Sequence, residues 1–116
     1  MYENDIMAMS TTAKNKANFM DNNMLGFFLM SMMAGAFIAL GSMLMGVVGG
    51  TFTAGGAYST KLVNGLVFAV GLCMVTSAGS ELFTGNNLVM SVGGFTKSVS
   101  WGKVVKYWVI CWIGNL

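Results

Sequence analysis

No charged side chain occurs between Asp21 and Lys61, and this run constrains the fold more than any other feature of the sequence. About 20 consecutive apolar residues cross the hydrocarbon core of a bilayer as a helix. The run therefore predicts a first transmembrane helix within residues 22–50. It contains the G-x-x-x-G pair Gly46 and Gly50, and small residues of this kind let membrane helices pack closely, so the helix is expected to lie against protein.

Composition supports a membrane location for the whole chain. Of its 116 residues, 55% are hydrophobic and 9% are charged, with a mean hydropathy of +0.69, whereas soluble domains carry about 25% charged residues. The predicted fold class is therefore an all-α integral membrane protein, and the lipid bilayer is its first partner. A net charge of +2 with scattered lysines does not favour binding to nucleic acid.

The inventory of reactive groups argues against an enzyme. The chain has no histidine, and its four carboxylates provide no evident metal-ligand set and no nucleophile–base pair. We therefore expect no metal, no cofactor and no catalytic residue. Cys73 and Cys111 lie in apolar stretches and are expected to be small buried hydrophobic side chains.

The remaining segments follow from the charge pattern. Residues 1–21 are polar and are interpreted as a retained cytoplasmic leader. Either an amphipathic helix at the membrane surface or a partly disordered segment fits this leader. Residues 51–61 are rich in glycine and threonine and are predicted to form an extracellular loop.

Residues 62–92 form the most informative segment, because one carboxylate, Glu81, interrupts its apolar sequence. A single helix from Leu62 to Thr96 would be about 50 Å long, against a hydrocarbon core of about 30 Å. The helix must therefore break, and a re-entrant loop is predicted at residues 79–86. A second half-helix is expected to follow it and to end near residue 92.

Residues 93–103 are then a cytoplasmic loop, and residues 104–116 begin a third span. Its start carries interfacial residues, namely Trp101, Lys106, Tyr107 and Trp108. The span is too short to cross a bilayer, so the chain is expected to be part of a longer protein. Five of the six lysines fall on the side of the N-terminus, which predicts a multi-pass protein of the inner (plasma) membrane with a cytoplasmic N-terminus.

Non-helical backbone at membrane depth is tolerated only where protein buries it or where it lines a water-filled path, and transporters and channels use broken helices of this kind. Glu81 is expected to accept hydrogen bonds from loop amides, and Asn86 and Asn87 to cap the second half-helix. The Thr84 hydroxyl could donate to an anion, and Leu82 and Phe83 could form an apolar constriction. A glycine-rich kink that serves only packing is the alternative.

The motif G-S-E-L-F-T-G-N at residues 79–86 resembles the signature of the formate/nitrite transporter family. A-G-A-F-I-A at residues 34–39 and W-x-G-N at residues 112–115 are similar to the family's first and third spans, and Lys16 matches a lysine of its leader helix. The resemblance covers residues 14–116. Within the family, the sequence looks closest to the clostridial hydrosulfide channels.

The resemblance implies an aquaporin-like bundle of two inverted repeats, assembled as a pentamer with one pore in each subunit. This chain would be the first repeat, with three spans and an interrupted second helix, and the second repeat would lie beyond Leu116. The implied substrate is a small monovalent weak-acid anion: hydrosulfide, with formate or nitrite possible. By position, the resemblance implies that Leu82 and Phe68 form two constrictions with Leu72 between them, and that Thr84 is the hydrogen-bonding residue of the loop. Together with the residue pattern, the candidate site comprises the constriction (Leu82, Phe68, Leu72 and Phe83), the anion contacts (Thr84, Asn87 and Lys16) and the loop framework (Gly79, Glu81, Gly85 and Asn86).

Three other interpretations remain for comparison. An aquaporin-type pore would begin its half-helices with Asn-Pro, and this chain has no proline. A non-conducting membrane subunit would use the glycines for packing alone. A membrane enzyme based on Glu81 or Cys73 would lack a second catalytic group. Within the transport interpretation, proton-coupled transport of formate or nitrite is the alternative to a channel.

Overall fold

The computed structural model describes residues 2–116, and every regular element in that range is an α-helix. The helices are α1 (Glu3–Asn22), α2 (Met24–Ala54), α3 (Thr60–Ser77), α4 (Phe83–Phe95) and α5 (Trp101–Asn115). Helices α2 and α3 pack along each other, α1 lies on α4, and α5 contacts both α2 and α4. Helices α2 and α3 are long and apolar enough to cross a membrane.

Helix α2 is longer than the predicted first span. Its 31 residues correspond to about 46 Å, and it ends at Ala54 rather than near residue 50. The hydroxyl groups of Thr51 and Thr53 donate to the carbonyl groups of Val48 and Gly49, at 2.7 and 2.8 Å. These threonines thus bond to their own helix instead of forming a turn, and the predicted loop at 51–61 shrinks to residues 55–59.

Close packing of α2 on α3 depends on a different glycine pair from the predicted one. A Cβ atom added to Gly41 would lie 2.8 Å from the Cα of Gly71, so the two backbones approach each other without side chains between them. By contrast, no atom of residues 2–116 outside the immediate helix lies within 4 Å of such an atom on Gly46 or Gly50. The G-x-x-x-G motif therefore faces away from α3.

The predicted interruption follows α3. Gly79 adopts a positive φ of 62°, which glycine reaches without steric cost. The amides of Gly79 and Ser80 donate to the carbonyl groups of Thr76 and Val75, at 3.2 and 3.0 Å. This is the Schellman pattern of a helix C-terminus, and it accounts for the loop role predicted for Gly79.

The second half-helix starts earlier than predicted. Helix α4 begins at Phe83, after Leu82 in an extended conformation, so the break covers residues 78–82 rather than 79–86. Asn86 and Asn87 therefore lie inside the helix, and their predicted capping role is wrong. The physical reason is that a distant side chain, Asn115, supplies the acceptor for the first amide of α4.

The leader is a helix, in agreement with one of its two interpretations. Helix α1 buries Ala13, Ala17 and Met20, which recur at helical spacing along one face. The Ser10 hydroxyl lies 2.6 Å from that of Ser98. A Cβ atom on Gly93 would collide with Ala13, so glycine allows α1 to pack closely on α4.

A salt bridge joins the end of α1 to the start of α5. The Lys103 ammonium lies 2.5 Å from the Asp21 carboxylate. The hydrogen bond from Lys103 lowers the pKa of Asp21; desolvation opposes this effect, and the charges of Lys103 and Lys106 add to it. The pair therefore stabilises the fold at pH values above the ordinary pKa of an aspartate. This contribution is lost as the pH falls through the lowered pKa of Asp21.

The third span begins at Trp101 rather than at residue 104, and α4 extends to Phe95, so the predicted loop at 93–103 shrinks to residues 96–100. Tyr107 is fully buried among the helices. Its ring centroid lies 4.5 Å from that of Phe27. This aromatic pair lies in the core that α1, α2, α4 and α5 share.

Candidate functional site

The break between α3 and α4 is the candidate site, because it leaves a helix N-terminus open within the bundle. The first four amides of a helix have no intrahelical partner. In α4, the Phe83 amide bonds to a side chain and the Asn86 amide returns to the Leu82 carbonyl. The amides of Thr84 and Gly85 lie between them on exposed residues, and within residues 2–116 they donate to no acceptor.

Glu81 is the electrostatic centre of the break. Its residue exposure is only 6%, and its Oε2 atom accepts hydrogen bonds from three side chains. The Lys16 ammonium lies at 2.5 Å, the Tyr107 hydroxyl at 2.8 Å and the Asn86 amide at 2.9 Å. These donors come from α1, α5 and α4. The carboxylate thus joins three helices at the point where the backbone is interrupted.

The hydrogen-bond donors expected for the Glu81 carboxylate were therefore wrong. The carboxylate was expected to bond to loop amides, but side chains of neighbouring helices supply the donors. The Glu81 amide itself donates to the Met30 carbonyl of α2, at 3.3 Å. The residue is thus bound through both side chain and backbone, as a buried charge requires.

Asn115, on α5, makes hydrogen bonds to the backbone at the break. Its Oδ1 atom accepts the Phe83 amide at 2.8 Å. Its Nδ2 atom donates to the carbonyl groups of Ser31 at 2.9 Å and of Glu81 at 3.0 Å. The Cys111 thiol also donates to the Glu81 carbonyl, at 3.2 Å. Two residues of α5 therefore bind the backbone on both sides of Leu82.

Two open grooves meet at Leu82. The first, of about 380 Å³, is lined by Leu82 with Lys16, Leu72, Gly85 and Asn86 among others. The second, of about 230 Å³, is lined by Leu82 with Phe83, Thr84, Trp112 and Asn115 among others. Leu82 thus lines both grooves.

The structure brings together most, but not all, of the predicted site residues. Phe68 lies on α3, is 37% exposed and lines neither groove. The Oδ1 atom of Asn87 is buried and has no hydrogen-bond partner within residues 2–116. The Lys16 ammonium, expected at an anion, lies on Glu81.

The side chains that hold the break were not predicted from the sequence. Tyr107 was expected at the membrane interface, and Asn115 was noticed only within the W-x-G-N motif. A polar residue within an apolar span was the available signal for Asn115, whereas nothing local marks Tyr107 as a donor to Glu81. The cysteines also differ from each other: Cys111 is buried, as expected, but Cys73 is exposed.

No group of three or more histidine, cysteine or carboxylate side chains capable of holding a metal ion occurs within residues 2–116. The polar groups at the break are amides, hydroxyls, one thiol, one carboxylate and one ammonium. Such groups can bind and orient a small ion by hydrogen bonding and charge.

Comparison with known proteins identifies the family. The model of the formate/nitrite transporter family matches residues 3–116. The chain belongs to the formate/nitrite transporter family. It is 34% identical over 116 residues to the nitrite transporter NirC of Escherichia coli K12, covering 100% of this chain and 42% of that protein. It is 46% identical over 90 residues to a probable formate transporter of Methanothermobacter thermautotrophicus, covering 76% of this chain and 33% of that protein.

A solved structure supports the same assignment. A chain described as an FNT family ion channel matches with a TM-score of 0.80 and 34% identity, covering 95% of this chain and 43% of that chain. The expected fold class is confirmed: an all-helical membrane bundle that fits the first repeat of the family. The chain spans less than half of the length of the curated relatives named above.

Proposed function

We propose that this chain is the N-terminal repeat of a channel subunit for small monovalent anions of weak acids, with the break after α3 as the anion-contact element. The observation that carries the proposal is the start of α4. Two amides, of Thr84 and Gly85, remain open there, next to a hydroxyl and an apolar side chain. The N-terminus of a helix carries a partial positive charge and attracts anions.

The apolar surroundings favour weak acids. Leu82, Phe83 and Leu72 line the grooves at the break, and a bare charge among such side chains is costly. A weak-acid anion that takes up a proton avoids this cost. Hydrosulfide, formate and nitrite all have this property, and hydrosulfide is the substrate that we favour from the sequence motif.

The names of the relatives support formate and nitrite as the alternative substrates. NirC is described as a nitrite transporter and the Methanothermobacter protein as a probable formate transporter. Proton-coupled transport of these anions is therefore the second candidate mechanism. We further propose a pentamer in the inner membrane, with the pore passing Phe68, Leu72 and Leu82 within each subunit.

The decisive experiment measures anion flux in liposomes that contain the complete protein, with hydrosulfide, formate, nitrite and chloride as substrates. Thr84→Val removes the hydroxyl with little change in shape, and we expect it to lower flux about fivefold, the value of one hydrogen bond. Leu82→Ala is expected to admit larger anions, because it widens the apolar constriction. Thr11→Val, on the exposed face of α1, is the matched control and should retain the original flux.

A non-conducting packing subunit predicts a different result. In that case a correctly assembled oligomer shows no selective flux, and the Leu82 and Thr84 substitutions affect assembly alone. Selective flux that Thr84→Val lowers in an intact oligomer would exclude this alternative.

A further inference from the structure

Side chains of α5 bind two carbonyl oxygens near the open end of α4, one at the break and one on α2. A carbonyl oxygen is the negative end of the peptide dipole and would repel an anion. The Glu81 carbonyl accepts from both Asn115 and Cys111. The Ser31 carbonyl of α2 accepts from the same Asn115 amide group. These two oxygens are therefore occupied by donors from α5.

Most amide groups at the start of α4, unlike these carbonyl oxygens, have no side-chain partner among residues 2–116. Asn115 accepts from Phe83 alone, whereas the next two amides, of Thr84 and Gly85, stay open on exposed residues. One side chain thus determines where α4 begins and which of its amides remain available. It also donates to the carbonyl oxygens of Glu81 and Ser31 beside them.

We propose that Asn115 is a positioning residue that makes the break selective for anions. It binds the carbonyl oxygens of Glu81 and Ser31 and leaves the Thr84 and Gly85 amides free. This proposal rests on the proposed transport function. Asparagine suits the role, because its uncharged side chain donates and accepts at the same time. An aspartate carboxylate would accept from Phe83 but could not donate to the two carbonyl groups, and it would add a negative charge.

This chemistry predicts a pH-dependent defect in the variant Asn115→Asp of the complete protein. A carboxyl group that faces two carbonyl oxygens in partly buried surroundings has a pKa above its ordinary value. Above that pKa, the charge repels the permeating anion, and the two hydrogen bonds that residue 115 donates to the Ser31 and Glu81 carbonyl groups are lost. Below it, the charge disappears and the protonated carboxyl group donates one hydrogen bond, where the asparagine amide donates two. A merely structural role of Asn115 would not produce recovery at low pH.

The experiment compares flux of the variant with that of the unmodified protein in liposomes at the same pH, so that protonation of the substrate cancels. At about pH 8, we expect Asn115→Asp to reduce flux at least about tenfold, as like-charge juxtaposition requires. At about pH 5, the ratio of variant flux to unmodified flux should rise towards one. Leucine neither donates nor accepts a hydrogen bond, so flux through Asn115→Leu should be low at both pH values.

The matched control is Asn18→Asp, which adds the same charge on an exposed residue of α1 and should leave the ratio unchanged. Unmodified flux in Asn115→Asp at pH 8, or equal losses in Asn115→Asp and Asn115→Leu at both pH values, would overturn the positioning role. No flux in the unmodified protein would instead overturn the proposed function.

Hydrogen exchange on the unmodified complete protein tests the same proposal if the variants do not assemble. The Phe83 amide should exchange more slowly than those of Thr84 and Gly85, because only the first is hydrogen-bonded. Formate or hydrosulfide at saturating concentration should then slow exchange at Thr84 and Gly85. Equal protection of all three amides without an anion would contradict the proposal.

Discussion

At the scale of single residues, the charge of Glu81 organises the break. A buried carboxylate is tolerated only when it is paired and hydrogen-bonded, and Lys16, Tyr107 and Asn86 meet this requirement. Its position on an interrupted backbone means that the same bonds also locate the residues that follow it. Loss of the charge should therefore affect both stability and the geometry of α4.

A double-mutant cycle tests this role of the ion pair. Glu81→Gln keeps an acceptor for Tyr107 but leaves the Lys16 ammonium facing a neutral group. We expect the assembled complete protein to lose about 1.5–3 kcal/mol, the range for hydrogen bonds to charged groups. The double variant Lys16→Met/Glu81→Gln removes both charges and should lose less than the sum of the single variants, as coupled residues do. Thermal unfolding of the detergent-solubilised oligomer measures these differences.

The exposed residue Lys14 provides the control, because it lies on α1 near Lys16 without facing the break. Lys14→Met should leave the melting temperature close to that of the unmodified protein. Strictly additive effects of the Lys16 and Glu81 substitutions would show that the two side chains do not interact in the assembled protein.

The candidate site illustrates what a single sequence can and cannot predict. Glu81, Leu82 and Thr84 were located from the interruption of an apolar run, because a membrane penalises polar residues and so makes them conspicuous. The donors Tyr107 and Asn115 were missed, since they lie on another helix and reach the break only through tertiary packing. A local sequence pattern does not indicate contacts between side chains of different helices.

At the scale of helices, the same distinction explains the errors in boundaries. The break was predictable from length together with the polar residues around Glu81, because an unbroken helix would be far longer than the bilayer is thick; length alone does not decide, since α2 runs unbroken for 31 residues. The end of the break was not predictable, because the cap of α4 comes from α5 instead of from Asn86 or Asn87. The extension of α2 to Ala54 likewise depends on threonine side chains that bond to the helix, in a composition that is typical of loops.

Packing of α2 on α3 yields a prediction at this scale. In Gly41→Ala, the new methyl group would meet the Gly71 backbone at 2.8 Å, and a backbone cannot rotate away as a flexible side chain can. We expect a loss of about 1–3 kcal/mol, as in other overpacked interiors. Gly46→Ala on the same helix meets nothing within 4 Å and should be neutral or gain up to about 1 kcal/mol from helix propensity.

Thermal unfolding of the assembled complete protein compares the two variants. The prediction fails if Gly41→Ala is as stable as Gly46→Ala, because the α2–α3 distance would then tolerate a side chain. Equal destabilisation by both would indicate that a further part of the assembled protein packs on Gly46.

At the scale of the whole molecule, two contacts place α1 beside the connection between α4 and α5. Ser10 reaches Ser98, and Asp21 binds Lys103. The sequence predicted that these segments share one side of the membrane, because together they carry Lys14, Lys16, Lys97, Lys103 and Lys106. The connection between α2 and α3 lies before Lys61, the remaining lysine, at the far end of two membrane-length helices.

This arrangement predicts the orientation in the cell. Lysine-rich segments near membrane helices stay in the cytoplasm, so α1 and residues 96–100 should be internal and residues 55–59 external. In the complete protein with Cys73→Ser, a membrane-impermeant maleimide should label Tyr58→Cys on intact cells, since Tyr58 is fully exposed. Thr11→Cys, on the exposed face of α1, should react only after the cells are permeabilised. Labelling of Thr11→Cys on intact cells, with protection of Tyr58→Cys, would reverse the topology and place the Lys16–Glu81 pair near the outer entrance of the proposed pore.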